Sequence, residues 1–379
     1  YQLVVPPLVE FLENLTAGEG HDLDLQTFKL TDQLSGKALG VRADITPQVA
    51  RHDAHHHVTD QISRFCYAGS VLHTKPIHIL ANRSSIQAGA EVYGHQSIGC
   101  DREILHLMLA SLLTFDPQPN HWLITVGHAQ ATRQMLEQLE LPSASQGAIS
   151  QALNRHSEPD LIELAAQHQL SARQLDNLLA MSRANGDKSV LQQLQQQHPS
   201  LQTYLNQLCE LVDQCEQQHP SLRWFFDFAS TNHYTYETGI VFYATHTSSA
   251  EPIARGGRYD KLSQHFGADR PAVGFSCDLL ALCQHDAAIK SAPNRPLRIW
   301  APAQASRDKD TLDQHVTALR QLGHSVTISL TAKHWQALNP NYQRNYDACL
   351  QFDQAWSLKL LTEQARQSKL SIVNSNKDT

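Results

Sequence analysis

The run Ile253–Phe275 concentrates side chains able to do chemistry. Gly256 and Gly257 stand together in an apolar, strand-like segment, where the missing Cβ lets another group approach the backbone. Arg258, Tyr259 and Asp260 follow at once, a cation, an aromatic hydroxyl and a carboxylate. Pro271–Ser276 then reads as a second buried strand leading into the helix-like Cys277–Gln284. This order suits the floor of a small-molecule pocket. A tight strand bend with surface charges uses the same residues, and both readings stand at this level. A second constellation is Asp44-Ile45-Thr46-Pro47. Thr46 is a good N-cap and Pro47 belongs at the first helical position, so Asp44 and Thr46 sit at a strand-to-helix corner. A third is His52, His55 and His56, at the i, i+3, i+4 spacing that can grip a transition metal. With 22 histidines in the chain, chance clustering accounts for the same pattern, and no metal site is expected.

These residues need elements to hold them. Val4–Leu15 is predicted as a short helix, Gln26–Thr31 and Ala38–Arg42 as a hairpin through Ser35-Gly36, and 48–57 as the helix begun at Thr46. Arg64–Thr74 and Ser84–Gly94 read as strands, Asp101–Phe115 as an amphipathic helix, and His121–Gly127 as a strand. From Gln134 to His219 the texture turns to Gln- and Leu-rich helices, with a capping box at Ser171–Gln174 and Gly186 as a stop. Leu222–Ala229, Gly239–Thr245, Ile253–Gly257 and Pro271–Ser276 return as strands. Consecutive short strands with tight links indicate an antiparallel sheet, and helices grouped beside it make the class α+β. After a linker at Asn294–Pro296, Leu297–Ala301, Ser306–Leu322 (stopped by Gly323) and Ser325–Thr331 form a β-α-β unit, with a further strand at Tyr346–Phe352. The predicted domains are 1–295, carrying a helical insertion at about 134–219, and a small α/β domain at 296–379.

Composition limits the partners. The chain has 30 basic and 37 acidic side chains among 379 residues, a net charge of −7. Pro296 onward holds 10 basic and 7 acidic, leaving 20 against 30 before it. A body that acidic is poorly suited to embracing a polyanion, so nucleic acid is not expected as a partner. No apolar run is of membrane-spanning length. Seven cysteines without a C-x-x-C pair fit reduced thiols in a cytoplasmic protein.

Three motifs in order carry a more specific signal: V-R-A-D-I-T (Val41–Thr46), Q-A-G-A-E-V-Y-G (Gln87–Gly94) and G-G-R-Y-D (Gly256–Asp260). With Arg64–Gly94, Tyr234–Tyr243 and Arg255–Ala281 they closely resemble the class II histidyl-tRNA synthetase family, over nearly the whole chain up to the linker. The resemblance implies a class II antiparallel sheet flanked by helices and a reduced anticodon-binding-like C-terminal domain. It also implies a histidine pocket. Asp44, Thr46 and Gln87 would surround the α-ammonium, Glu91 and Tyr259 would meet the imidazole, and Tyr236 would form a wall. The family's carboxylate-binding arginine is replaced by Asn232, which leaves Arg255 or Arg258 as substitutes.

The departures from the family matter equally. Its ATP-binding strand has an arginine and a glutamate where this chain has His73 and Lys75, and its last motif ends in an arginine where this chain has Ala281. Adenylation relies on preplaced cations around the phosphates, and losing two should cost several kcal/mol, about a thousandfold or more in rate. A kept amino-acid pocket with the nucleotide clamp gone is similar to the regulatory subunits of ATP phosphoribosyltransferase, a non-catalytic family acting in the first step of histidine biosynthesis. That resemblance implies a dimer assembling with short catalytic subunits into a hetero-octamer, histidine as feedback ligand, no cofactor on this chain, and Mg2+ on the catalytic partner. The alternatives are a working histidyl-tRNA synthetase with unusual motifs and a stand-alone histidine sensor.

Overall fold

The computed structural model describes residues 1–16, 20–56, 61–75, 82–229, 237–284, 296–303, 309–330, 334–353 and 355–362. The chain divides into two compact units, Tyr1–Asp286 and Ala287–Thr379. Of the predicted linker, only Pro296 falls among the described residues.

The first unit opens with β1 (Gln2–Leu3), β2 (Val9–Phe11), β3 (Phe28–Thr31) and β4 (Ala38–Val41). The helix expected over Val4–Leu15 is confined to Leu12–Leu15. Pro6 and Pro7 remove two donors, and Val9–Phe11 instead pairs antiparallel with Leu39–Val41. β2, β4 and β3 form a small three-stranded sheet, whose β3–β4 turn places Gly36 at φ 69°. The helix Thr46–His56 follows, led by Pro47 as its sequence demands.

A nine-stranded sheet carries the rest. Its other members are β5 (Ser63–Leu72), β6 (Ser84–Tyr93), β7 (Trp122–His128), β8 (Asn185–Gly186), β9 (Arg223–Asp227), β10 (Ile240–His246), β11 (Ala254–Arg258) and β12 (Ala272–Asp278). The order is β1-β5-β6-β12-β11-β10-β7-β9-β8. From β5 to β7 every pairing is antiparallel, as the short links require, whereas β1–β5 and β7–β9 are parallel. The parallel β7–β9 pair follows from the insertion, because six longer helices between Ala129 and Gln218 supply the crossover. The Ser171/Gln174 capping box is present in both halves. Gly186 does not stop that helix, which ends at Ser182. It sits in β8 at φ 144°, opposite Phe226.

The helix Ile98–Phe115 packs on β12, β11 and β6. Its Ile104, Leu105, Met108, Leu109 and Leu112 are at most 1% exposed. Each such side chain stabilises the fold by roughly 1.5–3 kcal/mol on burial. This core backs the sheet from one side and leaves the other side of β6, β11 and β12 to build a site.

The second unit contains β13 (Arg298–Ala301), the helix Lys309–Gln321, β14 (Ser325–Ile328), β15 (Ala348–Asp353) and β16 (Ala355–Leu360). The sheet order is β14-β13-β15-β16, with β13 parallel to both neighbours and β16 antiparallel to β15. The predicted β-α-β unit is therefore present, with Gly323 at φ 88° just after the helix. β16 has no counterpart among the strands expected from the sequence, and Ser306 lies outside the described residues.

Candidate functional site

Three adjacent strands form the floor. Glu91 on β6 stands across from Gly274 on β12, which in turn pairs with Gly257 on β11. A Cβ at Gly274 would overlap Glu91 Oε2 and lie 2.5 Å from the Tyr259 hydroxyl, so glycine is needed for the carboxylate to lie flat on the sheet. At Gly256 the close neighbour is the Phe242 ring. The conspicuous glycine of the pair thus serves packing, and the one that opens the site is Gly274.

Above this floor lies a cavity with about 360 Å3 of empty space, lined by Asp44, Thr46, Glu91, Glu237, Arg255 and Tyr259, among others. Glu91 is 1% exposed. Its Oε1 accepts from Thr46 Oγ1 at 3.0 Å and Tyr67 OH at 3.1 Å, while Oε2 has no hydrogen-bond partner among the described residues. Burial pushes this carboxyl well above the usual carboxylate range. The Thr46 hydrogen bond opposes the shift, and the nearby Asp44 charge adds to it. Asp44 Oδ1 accepts from Gln87 Nε2 at 2.7 Å and from the Thr46 backbone N–H at 3.0 Å. Gln87 Oε1 accepts from the Ile45 backbone N–H at 2.9 Å, which fixes the amide's orientation. The strand-to-helix corner and β6 are thereby locked together.

Two contributors to the site carry no marker in the sequence. Tyr67 is buried on β5, and its hydroxyl bonds both Glu91 and Thr46. Glu237 lines the cavity, is 3% exposed, and has an Oε2 without a partner among the described residues. Burial raises its carboxyl well above the usual range, with Arg255 and then Arg133 opposing. The sequence gives only a glutamate one residue past Tyr236, and nothing local marks it as buried.

The structure brings together Asp44, Thr46, Glu91, Tyr259 and Arg255. Gln87 stands one hydrogen bond behind them. Tyr236 and Asn232 lie outside the described residues. Arg258 is a correction. Side chains alternate along β11, so Arg258 leaves the face shared by Arg255 and Tyr259. Its guanidinium donates to Asp101 through Nε and Nη2 at 2.9 and 2.7 Å, and to Asp260 at 3.0 Å. It closes a buried ion pair and does not line the cavity.

A wider recess, about 720 Å3 of empty space, adjoins the cavity and shares Asp44, Arg255 and Ser276 with it. His73 lines it and donates from Nε2 to the Ala43 carbonyl at 2.9 Å. Lys75 is exposed, and Ala281 packs against the core. Among the described residues lining this recess, Arg255 is the sole lysine or arginine, set against Asp44 and Asp278. A triphosphate needs more positive charge than that arrangement supplies. The His52 and His56 rings stack at 4.5 Å, and among the described residues they and His55 form no convergent set of ligand atoms. His57 lies outside the described residues.

Comparison with known proteins agrees with this architecture. The histidyl-tRNA synthetase family model matches residues 1–282. The ATP phosphoribosyltransferase regulatory subunit of Marinobacter nauticus is 39% identical over 311 residues, 80% of this chain and 77% of that protein. That of Methylococcus capsulatus is 38% identical over 344 residues, 89% of this chain and 83% of that protein. Among solved structures, an ATP phosphoribosyltransferase regulatory subunit/histidyl-tRNA synthetase from Bacillus halodurans superposes with a TM-score of 0.71 at 21% identity, covering 92% of this chain and 88% of that one. The histidyl-tRNA synthetase from Nostoc also gives 0.71, at 18% identity, covering 95% and 87%; both structures speak to fold alone. The sheet, the acidic cavity on it and these relatives converge: the chain belongs to the ATP phosphoribosyltransferase regulatory subunit family, built on a histidyl-tRNA synthetase fold.

Proposed function

We propose that this chain is the non-catalytic, histidine-sensing regulatory subunit of an ATP phosphoribosyltransferase. It activates a short catalytic subunit, and histidine reverses that activation. The observation that carries the reading is the cavity: two buried carboxyls, Glu91 and Glu237, each keep one oxygen without a partner among the described residues, beside Arg255. Buried acceptors left unsatisfied are costly, and a ligand donor relieves them. Histidine offers an α-ammonium, a ring N–H and a carboxylate. Asp44 and Thr46 take the ammonium end, with Gln87 bracing Asp44. Glu91 and Tyr259 take the imidazole, where Glu91 selects the tautomer. Arg255 takes the carboxylate, the role for which Arg258 is buried on the wrong face.

In the assembly, the partner performs the phosphoribosyl transfer with its own Mg2+, this chain forms a dimer, and such dimers assemble with the catalytic subunits into a hetero-octamer in the cytoplasm. Feedback then requires only that histidine bind one assembly state better, a coupling of roughly 1–3 kcal/mol. Calorimetry on the isolated chain tests the pocket. Saturable binding of L-histidine is expected, weakened at least tenfold by Glu91→Ala and measurably by Tyr259→Phe. No heat and no saturation at millimolar histidine would remove the reading.

A further inference from the structure

A second constellation lies away from this cavity, where the core helix hands over to the sheet. Asp116 caps the C-terminus of the helix Ile98–Phe115, a short 3-10 turn follows at Pro119–His121, and β7 begins at Trp122. In the antiparallel β10–β7 pairing, His246 is the direct partner of Trp122. The connection that carries Asp116 and His121, five residues apart, therefore meets the distant His246 at one point. Asp116 Oδ2 lies 2.8 Å from His121 Nδ1 and 3.1 Å from His246 Nε2, and the three atoms are all within 4.8 Å of one another.

We propose that Asp116, His121 and His246 bind one divalent transition cation, Zn2+ first, through a carboxylate oxygen and two imidazole nitrogens. The donor set argues for that class. Ca2+ and Mg2+ prefer all-oxygen shells, whereas two imidazoles with one carboxylate suit Zn2+. Separations of 2.8 and 3.1 Å are close to the ~3.3 Å between ligand atoms of a tetrahedral site with bonds of about 2 Å, and the two imidazole nitrogens lie within 4.8 Å of each other.

The surroundings fix the ligands in place. His246 Nδ1 accepts from the Ser248 backbone N–H at 3.2 Å and stands 2.8 Å from Ser248 Oγ, so in the empty site Nε2 carries the ring proton towards Asp116. For Nε2 to take an ion that proton must move to Nδ1, with Ser248 Oγ as its acceptor. Asp116 Oδ1 accepts from the Gln118 backbone N–H at 3.0 Å, and Trp122 Nε1 donates to the Asp116 carbonyl at 3.2 Å. The Trp122 ring meets His246 edge-on at 4.9 Å between centroids. Asp116 and His246 are thus buried and fixed, while the His121 side chain is 43% exposed. Three protein ligands with a solvent-facing fourth position make an exchangeable site.

The test uses the full chain, tag-free and chelator-stripped. Titration with Zn2+ by calorimetry, and with Co2+ by visible absorption, is expected to give one tight equivalent per chain with a tetrahedral Co2+ spectrum. His121→Ala, a half-exposed position that leaves the core intact, should weaken binding at least tenfold and abolish the Zn2+-induced rise in melting temperature. The combined His52→Ala, His55→Ala and His56→Ala variant should keep the equivalent. Absence of a tight equivalent, an equivalent unaffected by His121→Ala, or one lost in the triple variant each overturns the proposal.

Discussion

Arg255 and Arg258 are three residues apart on one strand, yet their substitutions should have opposite signatures. Arg258 is held between Asp101 and Asp260, with only 9% of its side chain exposed. Arg258→Met would strand the Asp101 carboxylate in the core, and a loss of about 3–5 kcal/mol of stability is expected. Denaturant unfolding reads this, while histidine affinity of the folded fraction stays within about twofold. Arg255→Met removes the cation in the cavity and should cut histidine affinity ten- to a hundredfold with little change in unfolding. If Arg258→Met instead abolished binding in a fully folded protein, the face assignment of β11 would fail. Much of this site was legible in the residues themselves. Asp44, Thr46, Glu91 and Tyr259 were found because three ordered motifs carry them. Tyr67 and Glu237 escaped, because burial and the direction of a hydroxyl come from tertiary packing that no local pattern encodes.

Elements tell a similar story. Strands with strong apolar runs, such as Ile240–His246 and Ala272–Asp278, were legible from pattern, as was the capping box. Val4–Leu15 was misjudged because its periodicity suits a helix while two prolines and a waiting strand edge favour extension. The two-residue β8 has no sequence signal, yet it helps anchor the insertion to the sheet. Beside it, His156 sits 3.1 Å from Asp227 through Nε2 and 3.0 Å from the Ser182 carbonyl through Nδ1. Both acceptors favour the imidazolium, and the Asp227 hydrogen bond in particular lifts its pKa to about 9. A folded-state pKa raised above the unfolded one contributes stability that is complete below the unfolded value of 6.5 and is lost as pH climbs toward 9. The melting temperature should therefore fall across that window. His156→Asn, which tolerates the φ of 50° at this position, should flatten the decline. An unchanged pH profile in this variant would place the linkage elsewhere.

For the whole molecule, the charge distribution and the two recesses point the same way. An acidic first unit, with Arg255 as the only lysine or arginine among the described residues lining the wider recess, presents little positive charge to a polyanion there. Histidine-dependent ATP–pyrophosphate exchange by this chain alone is expected to be undetectable. Formation of phosphoribosyl-ATP by the short catalytic subunit should rise when the chain is added and fall again with histidine. Measurable exchange would return the chain to the synthetases, and no stimulation would leave only a histidine-binding protein. No helix among the described residues is long and apolar enough to cross a membrane.

The flat seat of Glu91 against Gly274 has one more effect. Burial holds that carboxyl well above the usual carboxylate range while the cavity is vacant, and a guest that donates a hydrogen bond to its unpartnered Oε2 would favour the ionised form. Uptake of the amino acid would then acidify the medium slightly, and the chain would grow more sensitive to its effector in alkaline conditions. Binding heats measured in buffers of different ionisation enthalpy expose such release directly, and identical heats in every buffer would mean that Glu91 and Glu237 keep their protonation on binding.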